Sequence, residues 1–308
     1  MKRLAVVFLA AVAACGGTES IDTTTSNLEN RADRGQPEPP MAGIHWARGQ
    51  AKAHGGGSPD LLYHGGPVLT QQSGGAAAVT PIFWGTGWSS DGQNKKGWVD
   101  TFYKGMSSSS YESTNTEYTQ SGGAHVGTSF SVNAGLTDLS AAPRNGNKTG
   151  PILAEVCKMI PTPVANGYYP VYTDLPRGHA GFCAWHSAGT CNGVSVQFAF
   201  FFDLDGDPGC DPESPATSYS QGVAALANVS GHELSEALTD PHLNAWYDAN
   251  GAENSDKCAW TFGAQLLTFT NRSQWKVQGN WSNSGYDGNR GYSDPAKGFV
   301  RGCVDGTN

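Results

Sequence analysis

Hydrophobic positions along the chain fall into stretches of two distinct periods. In residues 194–202 (VSVQFAFFF), Val194, Val196, Phe198, Phe200 and Phe202 recur at every second position, which predicts a β-strand with one apolar face. Residues 78–84 (AVTPIFW) form a short apolar run that reads as a buried strand, with Pro81 demoting it toward an edge or a bulge. Other stretches carry the helical period. Trp98, Val99, Phe102, Tyr103 and Met106 recur three and four residues apart, so an amphipathic helix is expected over 93–106. Pro151 at a first-turn position, followed by Ile152, Leu153, Val156 and Ile160, marks a second helix. Across 218–239, Ala, Leu and Val recur at helical spacing until Pro241 stops them. Strands and helices mix without regular alternation, which places the chain in the α+β class.

The two ends of this pattern are different in kind. Met1-Lys2-Arg3 and an eleven-residue apolar run over 4–14 have the form of a signal peptide, too short to span a bilayer of ~30 Å. The run ends Val12-Ala13-Ala14-Cys15-Gly16, similar to a lipoprotein cleavage box, which makes Cys15 the lipid-modified first residue of the mature chain. Residues 15–60 are polar and rich in Gly, Pro and Thr, without hydrophobic period, and read as a flexible tether. A single folded domain is expected over 61–308.

Composition narrows the class. Charged residues make up 15% of the chain, below the ~25% of an ordinary soluble domain, and the formal charge is −8. Losing Lys2 and Arg3 and no acid on cleavage takes it to −10. No basic stripe exists to neutralise phosphates, so nucleic acid is excluded as the expected partner. Beyond Cys15 the cysteines are Cys157, Cys183, Cys191, Cys210, Cys258 and Cys303, an even six. In an exported chain these imply up to three disulfides, with the pairing open. The expected location is the bacterial envelope or surface, or the medium. Contact with membrane is expected only through the lipid, and the protein is expected to be a monomer.

Charge is scarce, yet six acids crowd the 25 residues from His232 to Asp256: Glu233, Glu236, Asp240, Asp248, Glu253 and Asp256. On a helix, His232 and Glu236 share a face, and Glu233 lies about 100° round from His232. That offset is the one used by HExxH zinc peptidases, where the first and fifth residues bind metal and the Glu activates water. Here the motif is HExxE. A carboxylate can replace imidazole on zinc, although it adds negative charge and weakens Lewis acidity. The preferred third ligand is Glu253, with Asp256 supporting it from behind; Asp240 and His242 are the alternatives.

Two other places carry candidate chemistry. Asp203, Asp205 and Asp207 follow the strongest strand and could hold calcium, but Pro208 and Ser214 stand where an EF-hand needs Gly and Glu. An acidic turn is the simpler reading. His179 and His186 flank Cys183 in GHAGFCAWH and read as a loop packed by a disulfide. Neither a Gly-x-Ser-x-Gly elbow, a P-loop nor a dinucleotide fingerprint is present.

Ordered segments add a resemblance. Tyr63-His64-Gly65-Gly66-Pro67-Val68-Leu69, Ile82-Phe83-Trp84-Gly85 and Gly181-Phe182-Cys183-Ala184-Trp185-His186 precede the acidic block. The block continues through Thr239-Asp240-Pro241, Asn244-Ala245-Trp246-Tyr247-Asp248 and Asp256-Lys257-Cys258-Ala259-Trp260. Together they resemble a bacterial branch of the EXORDIUM-like (phosphate-induced protein) family over roughly residues 61–308. Plant members are secreted and linked to cell-wall growth; they keep the HE dipeptide and a downstream Glu but lack the fifth-position carboxylate. The bacterial branch carries HExxE. The resemblance implies a zincin-like α+β domain, a mixed sheet packed on helices with the HExxE helix central, loop-rich and disulfide-stabilised.

The expected function is an exported, lipid-anchored zinc peptidase acting on peptide or protein substrates. His232, Glu236 and Glu253 would hold the ion, and Glu233 would take a proton from the activated water. Residues 194–202 would offer an edge to extended peptide, and Tyr247 would face the oxyanion. The alternative is a non-catalytic surface module binding glycan or protein through exposed Trp246, Trp275 and Trp281.

Overall fold

The computed structural model describes residues 38–50, 59–70, 77–144, 146–294 and 298–308, within one compact unit from Glu38 to Asn308. The leader, Cys15 and most of the expected tether lie outside these residues. The folded body begins well before Leu61, however, because Ala42–Trp46 forms strand β1. The tether expected over 15–60 is corrected at that point: AGIHW is too short to show a period, but pairing gives it a place.

The class is α+β, built on a mixed eight-stranded sheet. After β1 come β2 (Leu62–Tyr63), β3 (Ala77–Val79) and β4 (Ile82–Trp84). Residues 78–84 are thus two short strands, split where Pro81 cannot donate to a ladder. β5 (Phe130–Val132), β6 (Leu136–Asp138), β7 (Gly167–Pro176), β8 (Phe182–Cys191) and β9 (Val194–Asp203) complete the sheet. Its order is β1-β8-β9-β7-β3-β5, with β4 beside the second half of β7 and β6 beside β4. β7 runs parallel to β9, β3 and β4, whereas β8 is antiparallel to β9, and β1 to β8. β9 therefore lies inside the sheet, buried on both faces from Val196 to Phe202, and offers no edge to a peptide. That expectation is corrected.

Among the described residues, five α-helices accompany the sheet: α1 (Lys95–Met106), α2 (Thr149–Met159), α3 (Gln221–Thr239), α4 (Asn254–Lys257) and α5 (Asn283–Asp287). α3 is buried from Gly222 to Thr239. Small residues in its first turns (Gly222, Ala224, Ala225, Ala227) let neighbours approach closely. Ser220 caps it by accepting from the Val223 amide, and Pro241 follows its end. Tyr172 on β7 reaches Ser230 of α3 at 2.7 Å and Tyr103 of α1 at 2.8 Å, tying sheet to helices. Short strands β10 (Trp246–Tyr247), β11 (Leu267–Thr268), β12 (Gln274–Trp275), β13 (Asn280–Trp281), β14 (Tyr292–Asp294) and β15 (Phe299–Val304) form small sheets of their own, β10 with β2.

Three disulfides pair Cys157 with Cys191, Cys183 with Cys210, and Cys258 with Cys303. They fit an oxidising environment. Among the described residues, no helix is long and apolar enough to cross a membrane.

Candidate metal centre

The HExxE turn sits in the last two turns of α3, where every side chain is buried. His232 and Glu236 face the same way, as four-residue spacing requires, with Nε2 3.2 Å from Oε1. The chain then turns at Asp240. Its Oδ1 accepts from the amides of Asn244 (2.6 Å) and Ala245 (2.7 Å), which leads the backbone back toward α3. Glu253 caps α4 and forms a capping box with Asp256, so the two acids are oriented by the helix they start. The Asp256 amide donates to Glu236 Oε1 at 2.9 Å, and Asp256 Oδ1 lies 3.6 Å from His232 Nε2.

A second imidazole enters from the sheet. His186 on β8 places Nε2 2.8 Å from Glu253 Oε2 and 3.5 Å from Glu236 Oε2. Two overlapping groups result. His232, Glu236 and Asp256 can present one ligand atom each within 4.8 Å of one another, and so can His186, Glu233 and Glu236. Glu236 belongs to both. Glu253, the preferred third ligand, meets His186 instead of His232. Asp256 takes the position beside His232 that was expected of Glu253. Asp240 shapes the turn through Oδ1 while its Oδ2 is buried without a hydrogen bond, and it joins neither ligand group; His242 bonds Ser195 on β9 at 3.1 Å.

Electrostatics make the arrangement costly without a cation. Burial, reinforced by the charges of Asp256 and Glu253, holds Glu233 and Glu236 well above the usual carboxylate range. Burial alone does the same to Glu253. Burial and then Glu253 push Asp240 up to about 7, against two backbone amides that favour its charge. Burial lowers His186 to about 4, with Asp240 and Asp256 opposing. Among the described residues no lysine or arginine forms an ion pair with Glu233, Glu236 or Glu253. Both Glu233 oxygens and Glu236 Oε2 are buried without a well-formed hydrogen bond; the His45 backbone amide only partly relieves Glu233. Imidazole and carboxylate donors, with buried oxygens left over, fit a divalent ion such as zinc.

Behind His232 stands a polar network that the sequence did not reveal. Gln278 Nε2 donates to the Ser255 carbonyl at 2.7 Å and to His232 Nδ1 at 3.0 Å. Its Oε1 lies 3.0 Å from His45 Nε2. With this amide orientation the neutral His232 ring carries its proton on Nε2, directed at Glu236. An ion on Nε2 requires that proton to leave, and the Gln278 oxygen to turn toward Nδ1.

The remaining candidates lie elsewhere. Lys95 Nζ reaches Asp203 at 2.8 Å and Asp205 at 2.7 Å, while Arg177 holds Asp207 through two nitrogens. These acids are compensated by the protein's own cations, and calcium has no support from the geometry. Trp275 and Trp281 are completely buried and Trp246 is half-buried, contrary to a glycan-binding platform of exposed aromatics. Tyr247 stacks flat on His64, with centroids 3.6 Å apart. His186, read from the sequence as part of a disulfide-packed loop, lies instead on strand β8 and faces the cluster. Its signal was the strand alternation of Ala184 and His186, outweighed by the neighbouring Cys183.

No family model matches this chain, and neither curated proteins nor solved structures provide a match.

Proposed function

We propose that this protein is an exported zinc-dependent peptidase of the EXORDIUM-like type, anchored through Cys15, with its metal centre on the HExxE turn of α3. One observation carries this reading: His232, Glu236 and Asp256 converge in a buried place where Glu233 and Glu236 retain oxygens without a well-formed hydrogen bond. His232 and Glu236 would hold the ion from α3 and Asp256 from α4, while His186, which Glu253 orients, reaches Glu236 from β8 and supports it. Zinc held there supplies Lewis-acid activation of water and of a peptide carbonyl.

Glu233 is the proton carrier. It lies one residue beyond His232, so it shares the buried space without sharing the ligand face of His232 and Asp256. Its place beside the ligand face suits a group that would take a proton from water and pass it to a leaving amine. Gln278 orients His232, and the capping box orients Asp256. The test is Glu233→Gln, assayed on casein before and after limited proteolysis. The variant is expected to keep its metal and lose hydrolysis; full activity in the variant contradicts the role.

A further inference from the structure

His186, His232, Glu233, Glu236 and Glu253 are all closed to solvent, each at most 3% exposed, so no substrate reaches them in this conformation. Strand β1 is part of the closure. It is the outermost strand of the sheet, antiparallel to β8, with Ala42 opposite His186 and Trp46 opposite Phe182. The register slips between Ala42 and His45, beside His186, and Gly43 within that bulge adopts φ +48°. A Cβ on Gly43 would lie 2.0 Å from His186 Cδ2 and 2.1 Å from Glu236 Oε2. The backbone thus enters the cluster where only glycine fits. Two residues on, the His45 amide approaches Glu233, and its ring packs edge-on against His232 at 4.5 Å and Trp260 at 4.7 Å.

We propose that β1 is an intramolecular pseudo-substrate: it fills an extended-peptide cleft along β8, and its departure opens the cluster to peptides with glycine at the position of Gly43. The chemistry rests on the peptidase reading; the displacement does not. β8 keeps its full ladder to β9 when β1 leaves, so the departing strand exposes a true sheet edge, the kind that binds extended peptide by main-chain hydrogen bonds. The segment is retained at its centre by His45, whose Nε2 lies 3.0 Å from Gln278 Oε1, and by further contacts along its flanks. Glu38 accepts from the Thr149 amide, Pro40 O from Ser187, and Trp46 O from Trp260, while Arg48 donates to Asp211 O. Segment 38–50 lies upstream of everything else in the folded unit, so a single cut after it frees it from the body.

The experiment replaces residues 51–58 in the full chain with a specific protease recognition sequence and cuts there. A labelled synthetic peptide of residues 38–50 is then added in excess, and hydrogen exchange of the β8 amides and zinc uptake are followed. Exchange of the labelled peptide into the cut protein, with β8 amides protected only when peptide is present, is expected. Zinc uptake is expected to speed up by about 10-fold or more on cutting and to slow again with peptide, since local opening governs access. A peptide carrying Gly43→Val is expected to compete at least about 10-fold more weakly, because overpacking a filled site is unfavourable. Collapse of the fold on cutting, failure of the peptide to exchange, or equal competition by the valine peptide overturns the proposal. Peptide exchange without zinc uptake by either form supports strand displacement and instead removes the zinc reading.

Discussion

His186 and Glu253 are 67 residues apart in the chain, and their Nε2 and Oε2 atoms meet at 2.8 Å. Through this bond the antiparallel strand β8 and the cap of α4 meet beside Glu236, whose Oε2 lies 3.5 Å from His186 Nε2 while its Oε1 lies 3.2 Å from His232 Nε2. The pair thus reaches the one residue that both ligand groups share.

Removing that imidazole is expected to weaken zinc binding while leaving the HExxE turn in place. His186→Ala should lower zinc affinity by about 10- to 100-fold, the range seen when supporting groups of metal sites are lost. Competition with a chelating indicator measures it. Unchanged affinity places His186 outside the centre.

Gln278 has a different effect, because it acts on His232 without touching the ion. Gln278→Leu removes the partner of Nδ1 and should cost roughly 10-fold in zinc affinity, whereas Gln278→Glu, whose carboxylate accepts from Nδ1–H, should restore it. Equal losses in both variants indicate a packing role only.

A pH-dependent instability is expected away from the centre. Glu112 is buried without partners for either oxygen, and burial pushes its carboxyl up to about 8. Folding favours its neutral form, so its contribution is full below the ordinary value of 4.5 and is lost as pH rises through about 8. Glu112→Gln should flatten the fall in Tm over that window and stabilise the protein at its alkaline end by on the order of a few kcal/mol. Parallel Tm profiles for the variant and the natural chain contradict this.

Much of the frame was legible because periodicity reports local burial. α1, α2, α3 and β9 lie where the spacing put them, and the HExxE turn of α3 brings His232 beside Glu236 as its four-residue interval requires. What could not be read depends on pairing between distant segments. β1 holds five residues around a bulged Gly43, and only its ladder with β8 makes it a strand. His186 sits 46 residues before His232, so nothing local ties them. The Glu253-x-x-Asp256 spacing was visible, but which acid faces His232 is settled by the capping box and by the Asp256 amide on Glu236.

The central claim is that α3 and α4 together hold one divalent ion, with His186 of β8 supporting Glu236, and metal stoichiometry tests it most directly. Purified full-length protein, equilibrated with zinc and freed of excess, should contain one equivalent by elemental analysis, and Glu236→Ala should contain none, because Glu236 belongs to both ligand groups. Occupancy should fall as pH is lowered, since the buried carboxylates, held above their ordinary range, recover protons before His186, which burial lowers to about 4. Zinc at well below one equivalent in the natural chain, with the segment 38–50 both in place and released, or equal zinc in Glu236→Ala, contradicts the claim.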